Sequence, residues 1–165
     1  MRAIILLVLL ATAAGVYFLG GNRIRNADVE LLYAASRQAV HDLDDEALCA
    51  MLSEDFEQVL TIDMESQQGR EEADRQAYCE SYREVFAALR PMRERAGNRP
   101  LADYQYTINR IEIAPDGSSA TVDTRSVNLI PGIRTTSRTT DTLVRRRWKT
   151  RVVRSEGKAW AGPAY

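Results

Sequence analysis

The chain has few of the residues that build metal and redox sites. Its 165 residues include two cysteines, thirty positions apart, and one histidine, so no zinc site with the usual Cys and His spacing can be written. The nine glycines are scattered and form neither GxGxxG nor GxxxxGK(S/T), the two glycine-rich phosphate loops. A GxSxG nucleophile motif is also missing. We therefore expect no metal and no cofactor.

The composition is that of one folded domain. Hydrophobic residues make up 45% of the chain and charged residues 27%, and the formal net charge is -1. A chain of this size buries enough surface to fold without a disulfide or metal framework, and this balance is not that of a disordered protein.

The first segment differs from the rest. Residues 3–22 carry no charge and are flanked by Arg2 on one side and by Arg23 and Arg25 on the other. As a helix, twenty uncharged residues span about 30 Å, the thickness of a bilayer core. We predict a single-pass membrane anchor or signal segment over residues 1–26 and a folded domain over residues 27–165. Cleavage of a signal peptide after Ala11-Thr12-Ala13 is the alternative. Because very short N-terminal tails commonly stay inside, we expect a periplasmic or otherwise extracytoplasmic domain, although the flanking charges balance.

The first half of the domain has helical periodicity. Apolar residues recur at spacings of three and four from Val29 to Leu43, and Asp44 is placed to cap a second short helix. After an extended piece over residues 56–62 and a polar loop over residues 65–69, a third helix is predicted from about Arg70 to Arg90, with Pro91 ending it.

The second half has the period of strands. Tyr104, Tyr106 and Ile108 alternate with polar residues before the apolar parity slips to Ile111, which indicates a bulge. Turns are predicted at residues 116–117, 131–132 and 155–158, with residues 135–154 as one long strand. The fold class is therefore α+β, with four to five antiparallel strands in a curved sheet packed on the helices.

Several segments together resemble one family. The stretch VHDLDDEALCAMLSEDF (residues 40–56), the step Gly69-Arg70-Glu71, the hairpin over residues 110–126 and TTDTLVRR (residues 139–146) are similar to the nuclear transport factor 2-like superfamily and its SnoaL-like members. The resemblance covers almost the whole chain after the first segment. It implies a cone, in which a bent sheet wraps around a long helix and leaves a pocket at the wide end.

The same resemblance bears on catalysis. Alignment on ketosteroid isomerases places Leu60 where those enzymes keep the carboxylate base and Ser36 where they keep the oxyanion-hole tyrosine. A leucine cannot accept a proton, so that chemistry is expected only if Asp63 substitutes for the base.

Aromatic residues and Asp63 are the candidates for the pocket. We predict that Tyr82, Tyr106 and Trp148 line it together with Asp63, although aromatic residues at such spacings also build cores. A small hydrophobic ligand would fit such a pocket.

Three other residues with reactive side chains have ordinary interpretations. His41 lies at the end of the first helix among aspartates, where a structural role is favoured over catalysis. Cys49 and Cys79 fall on the second and third helices, and either a disulfide or two separate buried thiols is consistent with the pattern.

Charge is distributed unevenly along the chain. Residues 27–90 contain 16 acidic and 5 basic residues, whereas residues 120–165 contain 3 acidic and 10 basic residues. The residues Arg145, Arg147, Lys149 and Arg151 alternate along the predicted long strand and would share one face. Anionic lipid, a protein partner and self-association are the candidate uses of that face. Nucleic acid is not expected, because the whole chain is slightly acidic.

These features together predict a membrane-anchored, non-catalytic binding or assembly module of the bacterial envelope. It would work through its charged faces and its cone pocket. The alternative is a SnoaL-like enzyme of isomerase, cyclase or hydrolase type, or a small-molecule carrier, that uses the same pocket.

Overall fold

The computed structural model describes residues 21–64, 67–97, 99 and 101–163, together with Thr12 and Gly15. The predicted anchor over residues 3–22 and its alternative cleavage site lie almost wholly outside them. Within the described part of the chain, no helix combines the length and the apolar character needed to cross a bilayer. The described residues form an α+β fold, as predicted.

Two helices begin the domain. Helix α1 (Asn26–Asp42) buries one apolar stripe that includes Val29, Leu32 and Tyr33. Helix α2 (Asp45–Ala50) follows after one turn, and the Asp44 carboxylate accepts a hydrogen bond of 2.8 Å from the Ala47 backbone N–H. The predicted cap is confirmed.

Helix α3 (Arg75–Arg95) is shifted relative to the prediction. It begins five residues later than expected, because Asp74 caps it by accepting a hydrogen bond of 2.8 Å from Ala77 N–H. It also continues past Pro91 for another turn. Proline removes one helical hydrogen bond, but Pro91 is exposed, so water can reach the backbone carbonyl that this leaves free.

The described residues form six strands in one curved, open sheet, in the order β2-β1-β6-β5-β4-β3. The prediction of four to five strands is therefore corrected to six, and of its five strand pairs only β1–β6 is parallel. The additional strand β2 occupies the segment predicted to be a loop and a helix start, where polar residues form a sheet edge. The strands are β1 (Leu52–Met64), β2 (Gln67–Asp74), β3 (Asp103–Ile113), β4 (Ser119–Ile130), β5 (Ile133–Arg146) and β6 (Lys149–Pro163).

Two turns and the bulge are confirmed. Gly117 and Gly132 have φ of 72° and 83°, conformations that favour glycine, and they lie in the β3–β4 and β4–β5 turns. The register of β3 against β4 shifts between Ile108 and Arg110, where the parity slip predicts a bulge.

The last hairpin is placed wrongly by the sequence pattern. The chain reverses at Arg147 and Trp148, which adopt φ of 50° and 68° without being glycine, and β6 then runs straight through residues 155–158. Gly157 is therefore no turn residue. A side chain there would place its Cβ 2.1 Å from the Arg138 carbonyl oxygen, so glycine allows β5 to pack closely.

One end of the cone is filled by apolar side chains, and we call it the closed end. Val29, Val122 and Leu143 are fully buried there, with Ile24 and Ala120 beside them. A strap over residues 21–24 crosses this end. Ile24 N–H donates to the Gly117 carbonyl (2.8 Å), and Trp148 N–H donates to the Gly21 carbonyl (2.7 Å).

Candidate functional site in the cone cavity

A cavity of about 210 Å³ lies between the helices and the concave face of the sheet. Residues from helices α1, α2 and α3 and from five of the described strands line it. Apolar and aromatic side chains from the helices and β1 form one wall, among them Leu32, Val40, Leu48, Phe56, Leu60 and Tyr82. The opposite wall, on β4, β5 and β6, is polar.

The aromatic part of the cavity wall is a continuous row. Ring centroids are 5.3 Å apart for Phe56 and Tyr78, 4.8 Å for Tyr78 and Tyr82, and 5.5 Å for Tyr82 and Phe86. Three of these residues lie one helical turn apart on α3, so the helix period builds the row. Burial raises the pKa of both the Tyr78 and the Tyr82 hydroxyl.

Hydroxyl side chains face the cavity from the sheet. The register pairs Ser126 with Ser137 and Thr124 with Thr139, and their Oγ atoms lie 2.7 Å and 2.9 Å apart. Side chains alternate between faces along a strand, so every second residue of β5 from Thr135 onward points to the same side. The row begins with threonine and serine and ends in an acid.

That acid, Asp141, is the most distinctive group of the cavity. It is buried, it lines the cavity, and its two oxygens accept hydrogen bonds from the Tyr33 hydroxyl and, at 2.6 Å, from the Ser155 hydroxyl. Burial raises the pKa of the Asp141 carboxyl, and hydrogen bonds from Ser155, Tyr33 and Thr139 oppose that rise. Burial and the adjacent carboxylate also raise the pKa of Tyr33.

The predicted pocket residues divide unequally. Tyr82 lines the cavity. Asp63 lies on the other face of β1, paired with Trp160 on β6, because Leu60 points inward and the face alternates. Tyr106 packs against Tyr33 in the closed end, with ring centroids 5.5 Å apart.

Trp148 is the fourth predicted pocket residue, and its place is also corrected. It lies in the β5–β6 turn and is 45% exposed, because the chain reverses where a continuous strand was expected.

The predicted basic face is likewise corrected by that turn. Arg145 is buried and forms an ion pair with Asp28 of α1. Arg147 lies in the turn itself, and Lys149 and Arg151 belong to the next strand. The four residues therefore do not share one strand face.

The two cysteines form a disulfide in the structure. Cys49 on α2 and Cys79 on α3 are bonded, with a Cα–Cα distance of 5.7 Å. The bond joins the two helices beside Phe56 and Tyr78, next to the cavity.

His41 is exposed and lies 3.1 Å from the Asp42 carboxylate, on the outer surface of α1. Among the residues that the structure describes, no group of three or more His, Cys, Asp or Glu side chains is placed to hold a metal ion.

Sequence reasoning missed Asp141 and its hydrogen bond from Tyr33. Both depend on long-range packing, since they are 108 residues apart. The sequence did contain a signal for Asp141. It lies two residues from Leu143 on the same strand, so the two side chains point to the same face, and the apolar Leu143 marks that face as the buried one.

Comparisons with known proteins bear on the fold. None of the family models and none of the curated proteins matches the chain. Solved structures do: a conserved protein from Planctomyces limnophilus has 13% identity and a TM-score of 0.59, and covers 85% of this chain and 100% of its own. A nuclear transport factor 2-like protein of unknown function from Shewanella baltica has 15% identity and a TM-score of 0.57, with coverage of 84% and 94%. This chain has the nuclear transport factor 2-like fold.

Other chains with this fold include a candidate scytalone dehydratase from Novosphingobium aromaticivorans, at 15% identity and a TM-score of 0.59, which covers 84% of this chain and 87% of its own. At these identities the likeness concerns the nuclear transport factor 2-like fold alone, and that fold hosts enzymes and binding domains.

Proposed function

We propose that this domain is a binding module that takes a small, mainly apolar molecule into the cone cavity. The observation that carries the proposal is an open cavity of about 210 Å³ with one aromatic wall and a buried acid, Asp141, on the other wall. An apolar cavity of about 150 Å³ accommodates benzene. The ligand is therefore about the size of a benzene ring with one or two substituents.

The cavity lining favours binding over isomerase chemistry. Leu60 and Ser36, which align with the base and the oxyanion-hole tyrosine of ketosteroid isomerases, both line the cavity. The base position thus carries a side chain that cannot take a proton. Among the described residues, Asp141 is the one carboxylate in the lining, and both of its oxygens already accept hydrogen bonds. A SnoaL-like enzyme remains the alternative, with Asp141 rather than Asp63 as its acid or base.

We further propose that the domain works outside the cytoplasm, held to the bacterial envelope by residues 3–22. The Cys49–Cys79 disulfide supports an oxidising compartment, because such bonds are rare in the cytosol. Protease treatment of spheroplasts, in which the outer membrane is opened and the inner membrane is intact, tests this. Digestion of the domain supports the proposal, and protection until the cells are lysed contradicts it.

Cavity binding is tested with benzyl alcohol as the probe, titrated into the full chain and followed by two-dimensional amide NMR. Leu60→Trp should fill the cavity and abolish the saturable shifts. Val85→Trp is the matched control, because Val85 is 39% exposed on α3 and should bind as the wild type does. Equal binding by both variants would place the probe outside the cavity. The alternative, a SnoaL-like enzyme, would be favoured if the wild type turned over a substrate and Asp141→Asn did not.

The outer face of the sheet supports a second role, in assembly. The register aligns Arg125 on β4, Arg138 on β5 and Lys158 on β6 as direct neighbours. Strands lie about 4.8 Å apart, and like charges directly opposite each other destabilise a sheet. In the described part of the chain, no ion pair offsets these three charges; Arg138 lies 5.9 Å from the Trp160 ring centroid.

Beside this basic row runs a row with two acids, of which Glu156 forms an ion pair with Arg154. This second row lies two residues along each strand from the basic row. It consists of Asp123 on β4, Thr140 on β5 and Glu156 on β6, which are again direct cross-strand neighbours. Stripes of opposite sign fit a protein surface with complementary stripes, including a second copy of this face, better than a uniformly anionic lipid surface. We therefore assign the assembly role to this face and not to the segment from Arg145 to Arg151 that the sequence pattern favours.

Sedimentation velocity at about 0.05 M and 0.5 M salt tests the assembly role. Replacing Arg125, Arg138 and Lys158 by Gln should abolish association that the wild type shows at low salt. Replacement of three exposed arginines on the helical side, Arg37, Arg95 and Arg99, is the charge-matched control. Association that both variants retain contradicts this role.

A further inference from the structure

The donors and acceptors around Asp141 are unbalanced. Tyr33 and Ser155 each have one hydroxyl hydrogen, and both hydrogens are donated to the Asp141 carboxylate. What these side chains still offer the cavity is therefore mainly lone pairs, so a ligand at this end must bring hydrogen-bond donors.

A second acceptor in the same cavity lacks a partner. The side-chain oxygen of Asn128 is buried and accepts no hydrogen bond from the described residues. Asn128 lies opposite Thr135 on the polar wall, farther along β5 from Asp141. A buried acceptor left unpaired is destabilising, and a donor on a ligand removes that penalty.

The acid also has no cation to compensate it. Asp141 forms no ion pair with the described residues, and no Arg, Lys or His is among the residues that line the cavity. A buried carboxylate is ordinarily paired with a cation, since burial otherwise disfavours its charged form.

The wall opposite Asp141 is suited to a ligand that carries a positive charge. Tyr78, Tyr82 and Tyr104 line the cavity, and the faces of aromatic rings attract cations, the more so where water is excluded. Phe56 and Leu60 provide the apolar surface for the rest of a ligand.

We propose that the cavity selects a small organic amine, whose ammonium group binds at Asp141 and whose apolar part packs against the tyrosine wall. The inference rests on the proposed binding function and adds the chemical class of the ligand. An amine supplies several donors and one positive charge, which are the two properties that the lining lacks.

Three probes of nearly equal size separate the contributions: benzylamine, benzyl alcohol and toluene, titrated separately into the full chain at neutral pH. Benzylamine should bind at least about tenfold more tightly than benzyl alcohol, because a charge-assisted hydrogen bond is stronger than a neutral one. Toluene should be weakest.

Two matched variants assign the selectivity to one group. Asp141→Asn should bring benzylamine down to the affinity of benzyl alcohol and leave toluene binding unchanged. Asp103→Asn removes the same charge from an exposed position on β3, outside the cavity lining, and should leave all three affinities unchanged. Should Asp141→Asn fail to fold, the ratio of the two wild-type affinities still decides the proposal.

The outcomes distinguish the two proposals. Equal wild-type affinities for benzylamine and benzyl alcohol overturn the amine inference while cavity binding stands. Absence of saturable binding by all three probes overturns both. If Asp103→Asn reduces the amine preference as much as Asp141→Asn does, the preference comes from overall charge, and the site at Asp141 is wrong.

Discussion

The concave faces of β4 and β5 have two halves that differ in kind. Toward the closed end, Ala120, Val122 and Leu143 are at most 1% exposed and pack without space. Toward the other end, the same face of the same strands carries Ser126 and Ser137, and a cavity opens in front of them. The backbone is continuous through both halves, so the change from apolar to short polar side chains makes the difference.

Asp141 lies at the boundary between the two halves. Its cross-strand neighbour is Val122, the fully buried valine of the closed end, and two residues further along β5 lies Leu143. A tightly packed end thus holds the Asp141 backbone in place, while the open end leaves its carboxylate accessible to a ligand. Rigid support next to open space is the arrangement that a precise binding site requires.

The largest expected effect is on the free energy of unfolding, when the same Leu→Ala substitution is made in each of the two halves. Leu143→Ala should lower the free energy of unfolding by about 3–5 kcal/mol, because it creates a cavity in a packed cluster. Leu60→Ala should cost about 2 kcal/mol or less, since Leu60 already faces open space. Urea unfolding measures both. Equal losses would mean that the two ends are packed alike.

The next effect concerns the disulfide, which joins α2 to α3 on the helical side of the cavity. Closing a loop of 30 residues stabilises a fold by about 3–4 kcal/mol. Adding dithiothreitol during urea unfolding should therefore lower wild-type stability by about that amount. The Cys49→Ala, Cys79→Ala double variant serves as the control and should not respond to the reductant. A wild-type protein that does not respond would show that the bond contributes nothing.

The smallest effect concerns Asp141 and pH. Burial raises the pKa of its carboxyl above the usual 3.8, opposed by Ser155, Tyr33 and Thr139 and assisted by the charge of Asp123. Between the unfolded and the folded pKa the folded state binds more protons, so this group makes stability fall as pH rises.

Comparison with Asp141→Asn isolates that contribution. Carboxyls with a lowered pKa, such as Asp45 beside Arg90 and Asp116 beside Ser118, act in the opposite direction in both proteins. Stability measured by urea unfolding from pH 4 upward should therefore fall in the wild type relative to the variant. A difference that does not change with pH would show that burial does not shift Asp141.

Features with local causes were predictable from the sequence. The Asp44 cap, the glycine turns at Gly117 and Gly132 and the bulge after Ile108 each depend on a few neighbouring residues, and all are present. Strand β2 was not predictable in the same way, because its residues are polar and it is held by pairing with β1.

The site itself depended on information from distant parts of the chain. Tyr82 could be chosen as an aromatic residue on a helix, but the pairing of Tyr33 with Asp141 requires α1 to cross β5. The sequence pattern places Trp148 within a continuous strand, because the turn at Arg147 and Trp148 contains no glycine or asparagine that would mark a chain reversal. Long-range packing and an unmarked turn account for both misses.

The strap over residues 21–24 fastens the start of the described domain to its closed end. It is hydrogen-bonded to the β3–β4 and β5–β6 turns. Strand β4 runs 12 residues from that end toward the cavity, roughly 40 Å. The strap and the candidate binding site therefore lie toward opposite ends of the same strand, with the packed closed end between them.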